Sequence, residues 1–183
     1  MLKRFKVVAA VGAAISMIGL TAVTVLPSSA QEAPPPIRVE LLSGRADFTD
    51  DVNLDLSYQL SGSAAQSLDV QDPSRTIVAR ITIQPGYVFP WHTHPGPVIV
   101  NVAKGKLVYV QASDCVKHSY KADTAFVDPG RGNVHSAYNA YYGETVLIAT
   151  FFEVPASGPL TITEGIHAPA DCHVLSSSGG GSH

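Results

Sequence analysis

The stretch PGYVFPWHTHPGPVIVNVAKGK, Pro85 to Lys106, sets two histidines one residue apart among prolines and then runs into β-formers. In an extended chain residues i and i+2 project to the same face, so His92 and His94 point into one space. Prolines at 90, 95 and 97 favour extended backbone and oppose helix. Two neutral imidazoles held this way can grip a transition metal together. A pair of surface or hydrogen-bonded histidines is the other reading of the same residues.

Working outward, the clearest strands are Thr76–Ile83, Val98–Ala103, Lys106–Gln111, Ala125–Asp128 and Thr145–Val154, each rich in β-branched or aromatic residues and bounded by Gly, Pro or Asp. The segments IRVELLSGRADF and NLDLSYQL, upstream, alternate apolar residues around Gly and Asp and suit short strands and turns. No segment beyond residue 30 carries apolar residues at helical spacing. Short strands separated by turns predict an all-β sandwich or barrel.

A second stretch, DPGRGNVHSAYN from Asp128 to Asn139, closes a strand in a Gly/Pro turn and places His135 on the next strand. Both stretches resemble the signature motifs of the cupin family. Gly86, His92, His94 and Gly105 fall at the spacings of the first motif, G-x5-H-x-H-x3-E-x6-G. Pro129, Gly132, His135 and Asn139 follow the second, P-x-G-x2-H-x3-N, with one extra residue between Pro and Gly. The resemblance implies a double-stranded β-helix, or jelly-roll barrel, with one divalent transition metal (Fe, Zn, Ni, Mn or Cu) held by His92, His94 and His135. A barrel with an empty site is the alternative, and a homodimer formed through barrel strands is a further implication.

The departure from the pattern is Val98, at the position of the family's glutamate ligand. Three neutral imidazoles leave the full charge on a divalent ion, which favours an anionic or deprotonated ligand in its open positions. By residue type Tyr87, Tyr109, Glu144 and Glu153 are candidates to replace the glutamate, although each reads more readily as an ordinary strand residue. Trp91, Tyr138, Tyr141 and Tyr142 lie near the motifs and are candidate pocket walls, and Asn139 is expected to face the interior or fix a turn. His118, in the polar KHSYK, is expected to be solvent-exposed. His167, His173 and His183 belong to the C-terminal segment, where Asp-Cys-His offers at most adventitious metal binding.

The chain begins with Lys3, Arg4 and Lys6 ahead of an uncharged apolar run from Val7 to Leu26, then Pro27 and Ser28-Ser29-Ala30. Residues 1–30 read as a helical signal peptide for export to a periplasm or beyond, with an uncleaved membrane anchor as the alternative. Residues 31–36, QEAPPP, read as a Pro-rich linker, 37–175 as a single barrel domain, and 176–183, rich in Gly and Ser, as a disordered tail. Without residues 1–30 the chain keeps 9 basic and 15 acidic residues, a net charge of −6. No segment clusters Lys and Arg, so the electrostatic footprint of a nucleic-acid binder is missing. The two cysteines, Cys115 and Cys172, read as a disulfide in an oxidising compartment, with two buried thiols as the alternative.

Two functions follow from the resemblance. One is a metal-dependent oxygenase, dioxygenase-like, acting on a small anionic or enolisable substrate. The other is a non-catalytic module that binds a small ligand or the metal itself. A barrel used only for association is a third and weaker reading.

Overall fold

Residues 33–70 and 73–174 are described by a computed structural model; residues 1–30, read above as a signal peptide, Gln31 and Glu32, and residues 175–183, with the expected tail and His183 among them, lie outside them. The described residues contain no helix, so no helix among them is long and apolar enough to cross a membrane. They form strands β1 (Ile37–Leu41), β2 (Ala46–Asp47), β3 (Leu54–Tyr58), β4 (Gln66–Val70), β5 (Arg75–Ile83), β6 (Val98–Lys104), β7 (Lys106–Gln111), β8 (Lys117–Lys121), β9 (Thr124–Asp128), β10 (His135–Asn139) and β11 (Thr145–Phe151).

One sheet runs β1-β5-β11-β6-β9 with β2 on β5, a second runs β10-β7-β8, and β3 pairs with β4. All pairings are antiparallel. Alternation supplies the core. In β11, Thr145, Leu147, Ala149 and Phe151 are buried, while the residues between them are half-buried, as expected of a strand with one face turned to the interior. Ala79 of β5, Val98 and Val100 of β6, and Leu107 and Tyr109 of β7 join them from both sheets. The space between the sheets is the barrel interior.

Two glycines are fixed by geometry. Gly105, between β6 and β7, has φ +81°, and a Cβ there would stand 2.5 Å from the Thr145 hydroxyl. Gly130 has φ +58°, and a Cβ there would stand 1.9 Å from the Gly96 carbonyl oxygen. Only glycine accepts both the left-handed backbone and that approach. The turn after β9 is thereby pressed onto the residues just after His94, and the Arg131 N–H donates to the His94 carbonyl at 2.9 Å.

The strand reading of KHSYK differs from expectation. His118 is buried, at 5% exposure, and not in solvent. The segment is a period-2 strand, β8, with Lys117, Ser119 and Lys121 outward and His118 and Tyr120 turned in. Tyr120 stacks on Phe126 with ring centroids 4.3 Å apart, and the His118 Nε2 lies 3.5 Å from Asp114. Its lysines made a strand with one buried face look polar and exposed.

Cys115, in the turn after β7, is joined to Cys172 by a disulfide with Cα atoms 5.3 Å apart across a sequence separation of 57. A crosslink closing a loop of this length typically stabilises by about 2–4 kcal/mol, because it restricts the unfolded chain. Reduction is therefore expected to lower the urea midpoint by a corresponding amount. Identical urea curves with and without reductant, with two thiols titrated after reduction, would count against that.

Candidate metal centre

His92 lies directly opposite His135. Each backbone N–H donates to the other's carbonyl at 2.9 Å, so the segment before β6 adds onto β10 as a further antiparallel row. Opposed residues of a pair share a face, and so do residues two apart in one strand. His92, His94 and His135 therefore meet. Their ring centroids are 4.1 Å (92 to 135), 5.0 Å (92 to 94) and 5.2 Å (94 to 135) apart. One ring nitrogen from each lies within 4.8 Å of the others, and all three residues are buried.

The rings are also oriented. Nδ1 of His92 is 2.7 Å from the Pro90 carbonyl, Nδ1 of His94 is 2.7 Å from the Leu160 carbonyl, and Nδ1 of His135 is 3.3 Å from the Asn133 carbonyl. A carbonyl oxygen only accepts, so the Nδ1 atoms donate and the Nε2 atoms are left for the cluster. Backbone carbonyls holding the far nitrogen are a common outer arrangement of metal-binding histidines. Burial, then the neighbouring His135 and His94, push His92 down to about 3. Burial likewise lowers His94. Both rings are thus neutral around pH 7, the form a metal needs.

A carboxylate stands beside them. Asp128, at the end of β9 and 2% exposed, places Oδ2 2.9 Å from His135 Nε2 and 3.5 Å from His94 Nε2. Its Oδ1 accepts the Gly130 N–H at 2.9 Å. Burial pushes this carboxyl up, but His135, His94 and the Gly130 N–H outweigh it and hold it below the usual carboxylate range. Sequence reasoning did not single out Asp128. The available signal was an aspartate closing an apolar strand, TAFVD, immediately before the Pro-Gly turn of the second motif.

Of the four residues considered by type as glutamate substitutes, only Tyr109 borders the cavity beside the histidines. Its ring centroid is 5.0 Å from that of His135. Glu144 pairs with Lys104 and accepts from Gln84, Glu153 pairs with Arg131, and Tyr87 packs against Phe89. The expected aromatic walls also differ. Trp91, Tyr138, Tyr141 and Tyr142 do not line the cavity, and Tyr142 is 87% exposed; Phe89, Phe126 and Phe151 line it instead. Asn139 fixes a turn: its amide donates to the Ile83 and Gly143 carbonyls, and its oxygen accepts from Tyr141 N–H and the Thr145 hydroxyl. His167 and His173 are exposed and take no part in the cluster.

The cavity has a volume of about 150 Å³. Its polar groups are the three histidines, Asp128, Thr161 and Tyr109; the remainder is aliphatic and phenylalanine. The Tyr109 oxygen accepts from the Asn133 amide at 3.2 Å and the Gln111 amide at 3.4 Å. With its oxygen engaged as an acceptor, the hydroxyl proton is left to be donated.

Fold and site together define an all-β barrel with a buried cluster of three histidines at one wall of a small, largely apolar cavity. No protein-family profile and no curated protein matches the chain. Its structural neighbours include cupin proteins and enzymes. A Cupin 2 conserved barrel domain protein from Salinispora arenicola matches at 16% identity over 62% of this chain and 73% of its own, with a TM-score of 0.41. The polyketide cyclase RemF from Streptomyces resistomycificus matches at 13% identity over 50% and 62%, TM-score 0.42. An oxalate oxidase matches at 20% identity over 72% and 56%, TM-score 0.44. The chain spans less than two thirds of the length of the cyclase and of the oxidase.

Proposed function

We propose that the protein is an exported, metal-binding cupin that acts as an oxygenase on a small substrate with an acidic or enolisable oxygen group on a largely apolar body. The observation that carries this reading is the convergence of three buried imidazoles, each tethered through Nδ1, on the wall of an apolar cavity. The donor set fits a divalent transition ion, since neutral imidazole suits Fe, Zn, Ni and Cu alike. When bound, such an ion supplies Lewis acidity and, if it is iron, oxygen chemistry.

The chain's own residues do the rest. A cavity of about 150 Å³ is the size that an engineered apolar hole needs to take up benzene, so the ligand is about one ring in size. Phe89, Phe126 and Phe151 exclude water from its body. Tyr109 donates its proton to an oxygen of the ligand and so orients it. The basic residues ahead of an uncharged apolar run support export, as does a disulfide, which persists in oxidising compartments.

The test is oxygen consumption by iron-loaded protein across small phenols, diketones and thiols. Turnover of an oxygen-bearing ring or enol is the expected result. Silence across the panel with iron demonstrably bound, and a small molecule retained through purification, would favour the non-catalytic binding module. Removal of the Tyr109 hydroxyl in Tyr109→Phe is expected to weaken binding of a phenolate or enolate to the metal-loaded protein about tenfold, the cost of one hydrogen bond to a charged acceptor. Calorimetric titration reads it, and an unchanged Kd would remove Tyr109 from the ligand site.

A further inference from the structure

The geometry points to Asp128 as a fourth protein ligand of the metal, taking over from a neighbouring strand the role that the motif resemblance gives to a glutamate at Val98. This rests on the reading that His92, His94 and His135 hold an ion.

Three observations carry it. The first is register. β6 and β9 pair antiparallel with Val98 opposite Asp128, so the missing carboxylate reappears one strand over at the same level of the barrel. Both residues border the cavity. The second is distance. Donors on a tetrahedral ion at 2.0–2.2 Å lie about 3.3–3.6 Å apart, and adjacent donors on an octahedral one about 2.8–3.1 Å. The Asp128 Oδ2 is 3.5 Å from His94 Nε2 and 2.9 Å from His135 Nε2, separations that one ion shared with those two nitrogens can span; the mutually close set of ligand atoms is that of the three histidines, so coordination by all four calls for a shift of the Asp128 or His92 side chain. The third is the division of labour within the carboxylate. Oδ1 is occupied by the Gly130 N–H, which leaves Oδ2 aimed at the nitrogens that the Nδ1 tethers free for coordination.

A buried carboxylate is costly unless something positive accompanies it. An Nε2 lone pair and a carboxylate oxygen 2.9 Å apart repel, so a proton or a cation has to lie between them. The proton alone would make Asp128 a positioning residue for His135; the ion makes it a ligand. With Asp128 coordinated, a divalent ion keeps one unit of net charge in the site instead of two. The pull on anions is correspondingly weaker than three imidazoles alone would exert.

The test is titration of the metal-free full-length protein with Co²⁺, reading both affinity and the visible d–d spectrum, which reports coordination number and donor type. Wild type, Asp128→Ala and Asp128→Asn are compared. The asparagine variant keeps an oxygen for the Gly130 N–H and guards against loss of the turn, and circular dichroism checks both folds. The expected result is binding weakened at least about 100-fold, the upper end of what an outer partner costs, together with a changed d–d spectrum in both variants. A d–d spectrum identical to wild type at saturation, whatever the affinity, overturns the assignment and leaves Asp128 as a partner of His135. Failure of wild type itself to bind Co²⁺ overturns the three-histidine reading, and this one with it.

Discussion

His92→Ala protein is expected to bind a divalent ion about 10³-fold more weakly than wild type or not at all, well beyond the roughly 10–100-fold cost of losing an outer partner. The substitution is well suited to the question because it spares the scaffold. The backbone bonds between residues 92 and 135 do not involve the side chain, and the strand pairings are untouched. What disappears is a ring 5% exposed, pushed down to about 3 and hence neutral, whose Nδ1 is already committed to Pro90. Metal content by mass spectrometry, beside a melting curve showing that the variant is folded, makes the measurement. Undiminished stoichiometric metal in folded His92→Ala protein would mean that the ion sits elsewhere.

The second large effect is acid lability of the metal-free protein. The ordinary histidine value is 6.5, and His92 in the folded chain is pushed down to about 3. Above pH 6.5 neither folded nor unfolded chain carries a proton there, and the ring contributes nothing to pH dependence. Between 6.5 and about 3 the unfolded chain takes up a proton that the folded one refuses. Stability therefore falls by about 1.4 kcal/mol per pH unit from this residue alone, or about 4–5 kcal/mol over the window. His94, also lowered by burial, adds in the same direction. Asp128, held below the usual range, contributes stability present above its unfolded value and lost only at the acid end. Such a loss is a large part of a typical domain's 5–15 kcal/mol.

Calorimetric scans of chelator-treated protein are expected to show the melting temperature dropping by roughly 10 °C between pH 6.5 and 4, with a shallower drop in His92→Ala. Parallel profiles for the two proteins would show that the buried ring is not the cause. Added metal should oppose the drop near neutrality, since an ion that binds only the folded state stabilises it by mass action.

The histidine cluster was legible because its cause is local. An alternate-residue pair among prolines and a third histidine on a following strand need only the period-2 geometry of a strand to be brought into line. Asp128 was not legible, since its place depends on which residue of β6 lies opposite the end of β9, a register set by distant turns. Two of the candidates chosen by residue type, Glu144 and Glu153, lie away from the cavity for the same reason, having found surface cations. The strands with strong β-formers were read within a few residues. β4, QSLDV, and β8, KHSYK, were missed because few of their residues are apolar and their inward positions show only after pairing. The cavity walls were misjudged because Trp91 and the Tyr141–Tyr142 pair lie near the motifs in sequence but outside the barrel interior, whereas Phe126 and Phe151 reach it from β9 and β11.

The mutual backbone bonds of His92 and His135 also bear on when the centre comes into being. In an unfolded chain His92 and His94 are neighbours, but His135 joins them only once the chain from Thr93 to Val134 has closed into a loop and β10 has docked. Closure of such a loop is an entropic cost met by long-range strand contacts, which makes sheet-rich topologies slow to fold. The nascent polypeptide thus offers at most a two-pronged, weak chelator, and the three-pronged one exists only after that loop has closed. An ion held by all three rings would therefore be taken up by the folded chain and not by the nascent one.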